Sequence, residues 1–337
     1  MKPWKVAGAL WLMLLVLPLA RAQNASPNAI EVPSWFAKTF LDFREDIADA
    51  ARDGKRLMVY FDQDGCPYCA KLVSTNFTQK SIVDAMRKGI VAIEINIWGD
   101  RETTWLDGKV RPEKALAAHL KVQFTPTILF FDEKGNVVAR LNGYYPPHRF
   151  EAVLDYVTGK KEQQIPFAEY MKAAVKESAS AELHDEPFFM KEPLDLRRHA
   201  GGKPLAVIFE SPYCTGCDEM HREAFKRKEV LEQVAKFDVA RVVVGGRSEL
   251  ITPAGNLRTA SAWANQLEVA YTPSVVFFDN SGKEVFRIEA YLRPFHFAGS
   301  FAYVSSGAYK EEPSFQRYLQ AKARKIQDAG GAVDLWR

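Results

Sequence analysis

The pattern of apolar and polar stretches occurs twice along this chain of 337 residues. Short apolar runs at 57–61 and 205–209 are each followed by a polar turn, which is typical of a buried central strand. Further along, Thr125-Pro126 and Thr272-Pro273 each introduce another apolar run, and the two copies keep an offset of 147 or 148 residues. A repeat maintained over that length indicates a duplicated domain.

The spacing of apolar residues predicts the elements of each copy. In the first copy Ser34 is predicted to cap an opening helix with the apolar positions Phe36, Phe40, Leu41, Phe43 and Ile47. The elements predicted next are a strand at 57–61, a helix from the first cysteine pair, a strand near 91–97, a helix over 112–120, a hairpin of 127–131 with 137–141, and a closing helix from Pro146. The second copy repeats this order after a lead-in that is five residues shorter, so we expect an α/β fold.

The first 22 residues belong to neither copy. Lys2 and Lys5 precede an uncharged apolar run at 6–19, and Ala20-Arg21-Ala22 resembles a cleavage site, which predicts a secretory signal peptide. The alternative is an uncleaved membrane anchor, but a run of 14 residues is short for a membrane span. We therefore expect a signal peptide at 1–22, a first domain at 30–174, a polar linker at 175–187 and a second domain at 188–328.

Charge changes the picture of the partners. The chain has 45 basic and 42 acidic side chains, and the predicted signal peptide holds three of the basic ones and no acid. The mature chain is thus balanced at 42 of each, which gives no reason to expect nucleic acid or an anionic membrane as a partner. Nothing in the pattern indicates an oligomeric state.

All four cysteines stand in Cys-x-x-Cys pairs, one pair in each copy. Each pair follows the buried strand and opens a helix, where the unpaired N–H groups favour a thiolate on the first cysteine. The second cysteine, one turn later, is placed to attack a mixed disulfide. We predict Cys66 and Cys214 as nucleophiles and Cys69 and Cys217 as resolving residues, with no metal or organic cofactor.

Two structural alternatives compete with this redox interpretation. A zinc site would need the pairs to converge, although 144 residues separate Cys69 from Cys214. Permanent disulfides would stabilise little, since the gain grows with loop length and these loops hold two residues. The Thr-Pro pairs have an ordinary explanation as edge-strand prolines, or a functional one as sites where a cis bond is inexpensive.

The order strand, Cys-x-x-Cys helix, strand, helix, Thr-Pro, hairpin and helix resembles thioredoxin over nearly the whole mature chain. The resemblance implies two tandem thioredoxin-like domains, each a mixed central sheet flanked by helices, with a cis proline that faces the redox pair and docks substrate. The substrate-binding residues that it implies are Thr125, Pro126, Thr272, Pro273 and Tyr68. The form Gly65-Cys-Pro-Tyr-Cys69 is similar to periplasmic proteins linked to sulfur oxidation and disulfide isomerisation.

The sequence departs from thioredoxin in two ways. The dipeptides between the cysteines are Pro-Tyr and Thr-Gly, so the direction of electron flow stays open. Thioredoxin also has a buried acid six residues before its nucleophile, where this chain has Tyr60 and Ile208. Asp62 and Glu210, four residues ahead, are candidate proton relays, and the alternative for both is a solvated acid at the end of a strand.

The two sites are not expected to be equivalent. Lys71 follows the first cysteine pair, whereas Asp218 and Glu219 follow the second. Because a nearby cation favours a thiolate and nearby anions oppose it, the lower thiol pKa is predicted at Cys66. His221 lies four residues after Cys217 on the helix that the second cysteine pair opens. We interpret it as a surface residue, as most helix histidines are.

The sequence therefore predicts a periplasmic enzyme of dithiol–disulfide exchange. Its expected partners are protein or small-thiol disulfides, and a membrane thiol–disulfide carrier that resets the cysteines. The alternative from another class is a chaperone-like adaptor in which one domain, more readily the second, recognises clients and only the other is redox-active.

Overall fold

The structure is a computed structural model that describes residues 30–175, 179–269 and 271–333. The predicted signal peptide lies outside these residues. Within them, no helix is both long enough and apolar enough to cross a bilayer.

The first copy begins after a loop and alternates helices with strands. Its elements are α1 (Phe43–Arg52), β1 (Arg56–Asp62), α2 (Pro67–Lys71), a π-helical turn (Leu72–Asn76), α3 (Lys80–Gly89), β2 (Ile90–Asn96), β3 (Glu102–Thr104), β4 (Val110–Pro112), α4 (Glu113–His119), β5 (Thr127–Phe131), β6 (Val137–Asn142), α5 (Pro147–Thr158), a 3₁₀ turn (Lys161–Gln163) and α6 (Phe167–Ala174).

The second copy follows the same plan. Its elements are β7 (Leu194–Asp195), β8 (Leu205–Glu210), α7 (Thr215–Arg222), a 3₁₀ turn (Ala224–Lys226), α8 (Lys228–Val234), β9 (Asp238–Val243), β10 (Glu249–Ile251), β11 (Leu257–Thr259), α9 (Ala260–Gln266), β12 (Ser274–Phe278), β13 (Glu284–Ile288), α10 (Pro294–Ser305), a 3₁₀ turn (Ala308–Lys310) and α11 (Phe315–Asp328). The predicted α/β fold is confirmed.

Each copy is built on a four-stranded mixed sheet, in the order β2-β1-β5-β6 and β13-β12-β8-β9. The central strands β1 and β8 pair in parallel with β2 and β9, and antiparallel with β5 and β12. Both hairpins that close the sheets carry a register shift at the equivalent places, Phe130/Phe131 and Phe277/Phe278. The duplication therefore extends to the irregularities of the sheet.

The cores explain why the central strands read as continuous apolar runs. Every residue of β1 and β8 is buried, because helices cover both faces of each sheet. Alternate side chains enter opposite cores: Met58 and Tyr60 pack on the side of the cysteine pair, whereas Val59 and Phe61 pack on the other. A strand covered in this way carries its cysteine pair on a rigid support.

The opening helix predicted from Ser34 is wrong. Helix α1 begins only at Phe43, and Asp42 caps it by accepting a hydrogen bond of 3.1 Å from the Arg44 N–H. Leu41 has a φ of 60°, which no helix continues, and Phe40 is 99% exposed. The apolar spacing thus came from a loop and a helix placed end to end.

The second copy keeps this cap but not the helix. Asp195 accepts a hydrogen bond of 3.1 Å from the Arg197 N–H, as Asp42 does in the first copy. Residues 196–204 form a loop with one turn, at Ala200 and Gly201, in the place of α1. The five-residue shortening of the lead-in corresponds to this lost helix.

Candidate redox sites

The first cysteine pair opens α2. Cys66 is the N-cap residue, and its sulfur accepts a hydrogen bond of 3.1 Å from the Cys69 N–H. Pro67 occupies the first helical turn, where its missing N–H costs nothing. The two cysteines form a disulfide with a Cα–Cα distance of 5.2 Å. The sulfur of the predicted nucleophile therefore lies where helix N–H groups stabilise negative charge.

The loop that ends in a cis proline lies against this sulfur. The peptide bond between Thr125 and Pro126 is cis, and the Thr125 hydroxyl donates a hydrogen bond of 3.3 Å to Cys66 Sγ. The carbonyl oxygen of Thr125 lies 3.4 Å from the same sulfur. The structure thus brings together Cys66, Cys69 and the Thr-Pro pair that the sequence singled out.

The second pair has the same frame at the start of α7. Cys214 is the N-cap residue, its sulfur accepts a hydrogen bond of 3.1 Å from the Cys217 N–H, and the pair forms a disulfide. The bond between Thr272 and Pro273 is also cis. The Thr272 hydroxyl, however, lies 2.9 Å from the Ser211 hydroxyl instead of binding Cys214.

Gly216 explains part of the difference between the dipeptides. A Cβ added to Gly216 would lie 2.9 Å from Cδ of Pro273, closer than such atoms approach. The second site thus lets the helix approach its cis proline where a side chain is missing. The first site has Tyr68 at the equivalent position, and that ring packs on His296 of the second copy at a centroid distance of 5.6 Å.

The acid of the first site is buried. Asp62 is 4% exposed, so its alternative as a solvated strand-end acid is wrong. Burial, together with the neighbouring Glu94 carboxyl, raises the pKa of Asp62 to about 9. The hydroxyl of Tyr60, at the position of thioredoxin's acid, is buried with no hydrogen-bond partner among the described residues. The first site therefore has a carboxyl that stays protonated at neutral pH.

The acid of the second site belongs to a buried chain of three groups. Glu210 accepts from one ring nitrogen of His221 at 2.7 Å, and Glu186 lies 2.9 Å from the other. Burial alone would lower the pKa of His221, but the two carboxylates outweigh it and raise the pKa. All three side chains are buried. The expected surface position of His221 is therefore wrong, and so is the alternative that Glu210 is a solvated acid.

Sequence reasoning missed Glu186, because it falls in the stretch predicted as a linker. In the structure this stretch contacts the second copy next to its redox helix from Ser180 onward. The Tyr213 N–H donates a hydrogen bond of 2.8 Å to the Ser180 carbonyl, and the Ser180 N–H donates one of 2.9 Å to the Asp218 carboxylate. His184 binds the same aspartate and stacks on His221. The part of the predicted linker from Ser180 onward is thus attached to the second site.

The two copies contact each other beside their redox sites. The side-chain amide of Gln63 donates a hydrogen bond of 3.2 Å to the side chain of Gln316, and that of Asn142 donates one of 2.5 Å to the Glu289 carboxylate. Phe124, from the first copy, packs within the core of the second. Between these contacts lies a cavity of about 390 Å³, whose wall includes Cys66, Tyr68 and Thr125 from the first copy and Gly216, Thr272 and Pro273 from the second. We call it the shared cavity.

Cysteine pairs that open a helix and lie against a cis-proline loop on a mixed sheet define a protein with two thiol–disulfide redox centres. Comparison with protein families agrees with this class, since the model of the thioredoxin-like domain matches residues 43–158 and again 197–305. The chain belongs to the thioredoxin-like domain family, and it holds two tandem copies of that domain.

Several solved structures are similar to part of the chain. A thioredoxin-fold protein from Helicobacter pylori is 24% identical, covering 41% of this chain and 92% of its own, with a TM-score of 0.32. A thioredoxin from Thermus thermophilus is 26% identical over 35% of this chain and 85% of its own, with a TM-score of 0.29. The oxidised C-terminal domain of DsbD from Neisseria meningitidis is 16% identical over 37% and 99%, also at 0.29. No curated protein matches the sequence.

Proposed function

We propose that the protein is a secreted, periplasmic oxidoreductase that exchanges dithiol and disulfide with protein or small-thiol substrates through Cys66–Cys69 and Cys214–Cys217. The observation that carries the proposal is the placement of both nucleophile sulfurs. Each accepts an N–H of its own helix. Cys66 Sγ contacts the cis Thr125-Pro126 loop, and the helix that Cys214 opens lies against the cis Pro273 at Gly216. Helix N–H groups of this kind lower the pKa of a thiol and make it reactive.

The exchange proceeds in two displacements. In the reduced enzyme, the Cys66 thiolate attacks one sulfur of a substrate disulfide, a mixed disulfide forms, and the other substrate sulfur leaves as a thiolate. The Cys69 thiolate then attacks Cys66 Sγ, which closes the intramolecular disulfide and releases the second substrate thiol. Asp62, four residues before Cys66, is the proposed group that gives or takes the proton of the resolving thiol, and its burial and raised pKa support this role.

A membrane thiol–disulfide carrier in the periplasm is the proposed partner that resets the cysteines. Neither site requires a metal or an organic cofactor for the steps above. The expected substrate contacts are those of Tyr68 and the two Thr-Pro pairs. Of these residues, Tyr68, Thr125, Thr272 and Pro273 line the shared cavity.

A second candidate function applies to the second copy. Thr272 binds Ser211 instead of Cys214, and residues from Ser180 onward are attached beside that site. These contacts favour a role in which the second copy recognises clients while the first performs exchange.

Paired serine variants separate the two candidates. Cys66→Ser with Cys69→Ser inactivates the first site, and Cys214→Ser with Cys217→Ser inactivates the second. If both sites are enzymatic, both variants are expected to reduce insulin and a small disulfide. If only one variant is active, its intact site performs the exchange, and recognition is assigned to the copy whose site was inactivated in that variant. Failure of wild type and both variants on every disulfide contradicts the proposed function. A redox potential of about −120 mV would indicate an oxidant, and one of about −270 mV a reductant.

A further inference from the structure

A buried chain of two carboxylates and a histidine is attached to the second redox helix, and the exchange steps described above do not use it. One ring nitrogen of His221 lies 2.7 Å from Glu210, and the other lies 2.9 Å from Glu186. Exposure rises along this chain, from 1% at Glu210 to 9% at Glu186. The ammonium group of Lys226, whose side chain is 64% exposed, lies 3.6 Å from Glu186. The chain therefore leads from the interior of the second copy to its surface.

The inner end of the chain lies next to the resolving cysteine. His221 follows Cys217 by four residues on α7, and side chains at this spacing are neighbours, with their Cβ atoms about 5–6 Å apart. Glu210 ends β8, and its contact with His221 holds it against the same helix. Cys217 is 4% exposed, so water has little access to its sulfur. A proton that leaves the Cys217 thiol therefore has ionisable acceptors within one helical turn.

The ring of His221 is bonded on both sides. Because each nitrogen faces a carboxylate, a proton that enters at one nitrogen can leave from the other. An imidazole in this position connects the interior carboxyl of Glu210 with the carboxyl of Glu186 near the surface. The arrangement is therefore suited to moving a proton and not only to holding one.

The outer half of the chain comes from the segment between the two copies. Besides Glu186, this segment contributes His184, whose ring stacks on His221 at a centroid distance of 4.7 Å and lies 2.8 Å from the Asp218 carboxylate. The Arg241 side chain donates a hydrogen bond to the His184 carbonyl. These contacts hold Glu186 against the imidazole.

Ionisable and charged groups face this chain from every element that packs on it. They are Glu210 of β8, Cys217 and Asp218 of α7, Lys226 of the 3₁₀ turn, Arg241 of β9, and His184 and Glu186 of the segment between the copies. Three carboxylates among two cationic side chains favour a positive charge on the imidazole, so the ring can hold the proton that it carries.

The first copy shows that the fold does not require this cluster. At the position of His221 it has Val73, which packs on its apolar core. The strand register makes Glu94 the counterpart of Arg241, so the cation that holds the segment in the second copy is a carboxyl in the first. Buried ionisable groups cost free energy even when they are paired. A cluster that the second copy adds to the common fold therefore points to a task of that copy.

We propose that Glu210, His221 and Glu186 form a proton relay for the thiol of Cys217, and that the segment between the copies, by supplying Glu186, is a functional part of the second redox site. The inference rests on the proposed function of thiol–disulfide exchange. It adds a route for the proton of the resolving thiol. It also makes the second site depend on a residue that precedes the family match at 197–305.

The step balances with the substrate disulfide as the oxidant. Once Cys214 has formed a mixed disulfide, the Cys217 thiol loses its proton to the pair of Glu210 and His221. The Cys217 sulfur attacks Cys214 Sγ, the intramolecular disulfide forms, and the second substrate sulfur leaves as a thiolate. The proton passes through the ring of His221 to Glu186 and from there to water. The cysteine pair has lost two electrons, and the substrate disulfide has gained them.

The test isolates the step that Cys217 performs. The full chain carries Cys66→Ser and Cys69→Ser, so that only the second pair reacts, and the reduced protein is mixed with one equivalent of dithiobis(nitrobenzoate). Attack by Cys214 releases a first coloured thiolate, and attack by Cys217 on the mixed disulfide releases a second. Stopped-flow absorbance at pH 6 and pH 9 therefore measures the two steps separately in one sample.

His221→Gln removes the ring that carries the proton. We expect the second release to slow by about a hundredfold at pH 6, the size of a general acid–base contribution, and by less than about threefold at pH 9, where the thiol ionises without help. Glu186→Gln keeps the shape of the side chain but cannot take up the proton, and should slow the second release by about tenfold at pH 6. The first release stays within about threefold of its original rate in both variants, because Cys214 does not use the relay.

Glu182→Gln is the matched control. It makes the same chemical change in the same segment, at an exposed residue outside the relay, and leaves both releases unchanged. If His221→Gln loses the first release as well, its site is no longer folded, and Glu186→Gln against Glu182→Gln decides the inference at the same two pH values.

The outcomes distinguish this inference from the proposed function. A second release that slows equally at pH 6 and pH 9 assigns His221 a structural role and overturns the relay. A second release that is unchanged in Glu186→Gln overturns the part given to the segment between the copies. In both cases thiol–disulfide exchange stands. If the second pair with all of its relay residues intact releases no thiolate, the proposed function of that pair is itself contradicted.

Discussion

Replacing Thr125 with Val removes one hydrogen bond from one of the two nucleophiles. The Thr125 hydroxyl donates to Cys66 Sγ at 3.3 Å, whereas the equivalent Thr272 hydroxyl lies 2.9 Å from Ser211. In the reduced enzyme the bond at the first site stabilises the thiolate more than the thiol. Thr272→Val is therefore a matched control, because it changes the same atom type without removing a bond to Cys214.

The size of the effect follows from the bond. A hydrogen bond to a charged group contributes about 1.5–3 kcal/mol, and about 1.4 kcal/mol corresponds to one pKa unit. Cys66 is 3% exposed, so solvent replaces little of the lost bond. We expect Thr125→Val to raise the pKa of Cys66 by about one to two units, and Thr272→Val to leave the pKa of Cys214 in place.

The assay is the rate of iodoacetamide alkylation of the reduced protein between pH 4 and 9, read by mass spectrometry on the peptides of Cys66 and Cys214. Wild-type Cys66 is expected to show the lower pKa of the two. A Cys66 pKa that moves by less than about half a unit in Thr125→Val refutes the reasoning, as do equal shifts in both Val variants. Faster alkylation of wild-type Cys214 below pH 7 would reverse the order of the sites.

Three further predictions concern stability. Since the native state binds more protons than the unfolded state between the ordinary pKa of Asp62, 3.8, and its folded value of about 9, stability falls as the pH rises through that window. Asp62→Asn should raise the melting temperature more at pH 8 than at pH 4, and an equal gain at both contradicts this. The pKa of His221 is raised in the folded state, so its protonation stabilises the fold fully below about pH 6.5, and this stabilisation is lost as the pH rises through the folded pKa. His221→Gln should therefore reduce the fall in the urea midpoint between pH 6 and pH 9. Gly216→Ala should destabilise the second copy by about 1–3 kcal/mol in urea unfolding, because its Cβ meets Pro273, and an unchanged midpoint rules out that clash.

The features that sequence analysis predicted are those with local signals. The runs before each cysteine pair are continuous because both faces of β1 and β8 are covered, and their repetition exposes the duplication. The placement of Cys66 and Cys214 as helix caps follows from the motif and the strand before it. The opening helix was wrong because Phe36 is buried by loop packing and happens to lie seven residues before Phe43, a spacing that suits a helix.

The surroundings of His221 could not be predicted in the same way. Its partner Glu186 lies 35 residues earlier, in a stretch whose polar composition is typical of a linker. A buried carboxylate leaves no mark in composition, because its burial depends on a partner that the fold supplies. The contact between the two copies is equally invisible in the pattern, since Gln63, Gln316 and Glu289 are ordinary polar residues in the sequence.

The two disulfides, one in each copy, also set the electron capacity of the molecule. Each pair is a two-electron couple, so the fully reduced chain stores four electrons. A single disulfide substrate accepts two, which leaves a half-reduced molecule whose remaining electrons are distributed between the pairs according to their potentials, tenfold for each difference of about 30 mV. Exchange with a thiol or disulfide substrate that reacts with both pairs is sufficient for that redistribution, and the chain then works as a buffer of redox equivalents.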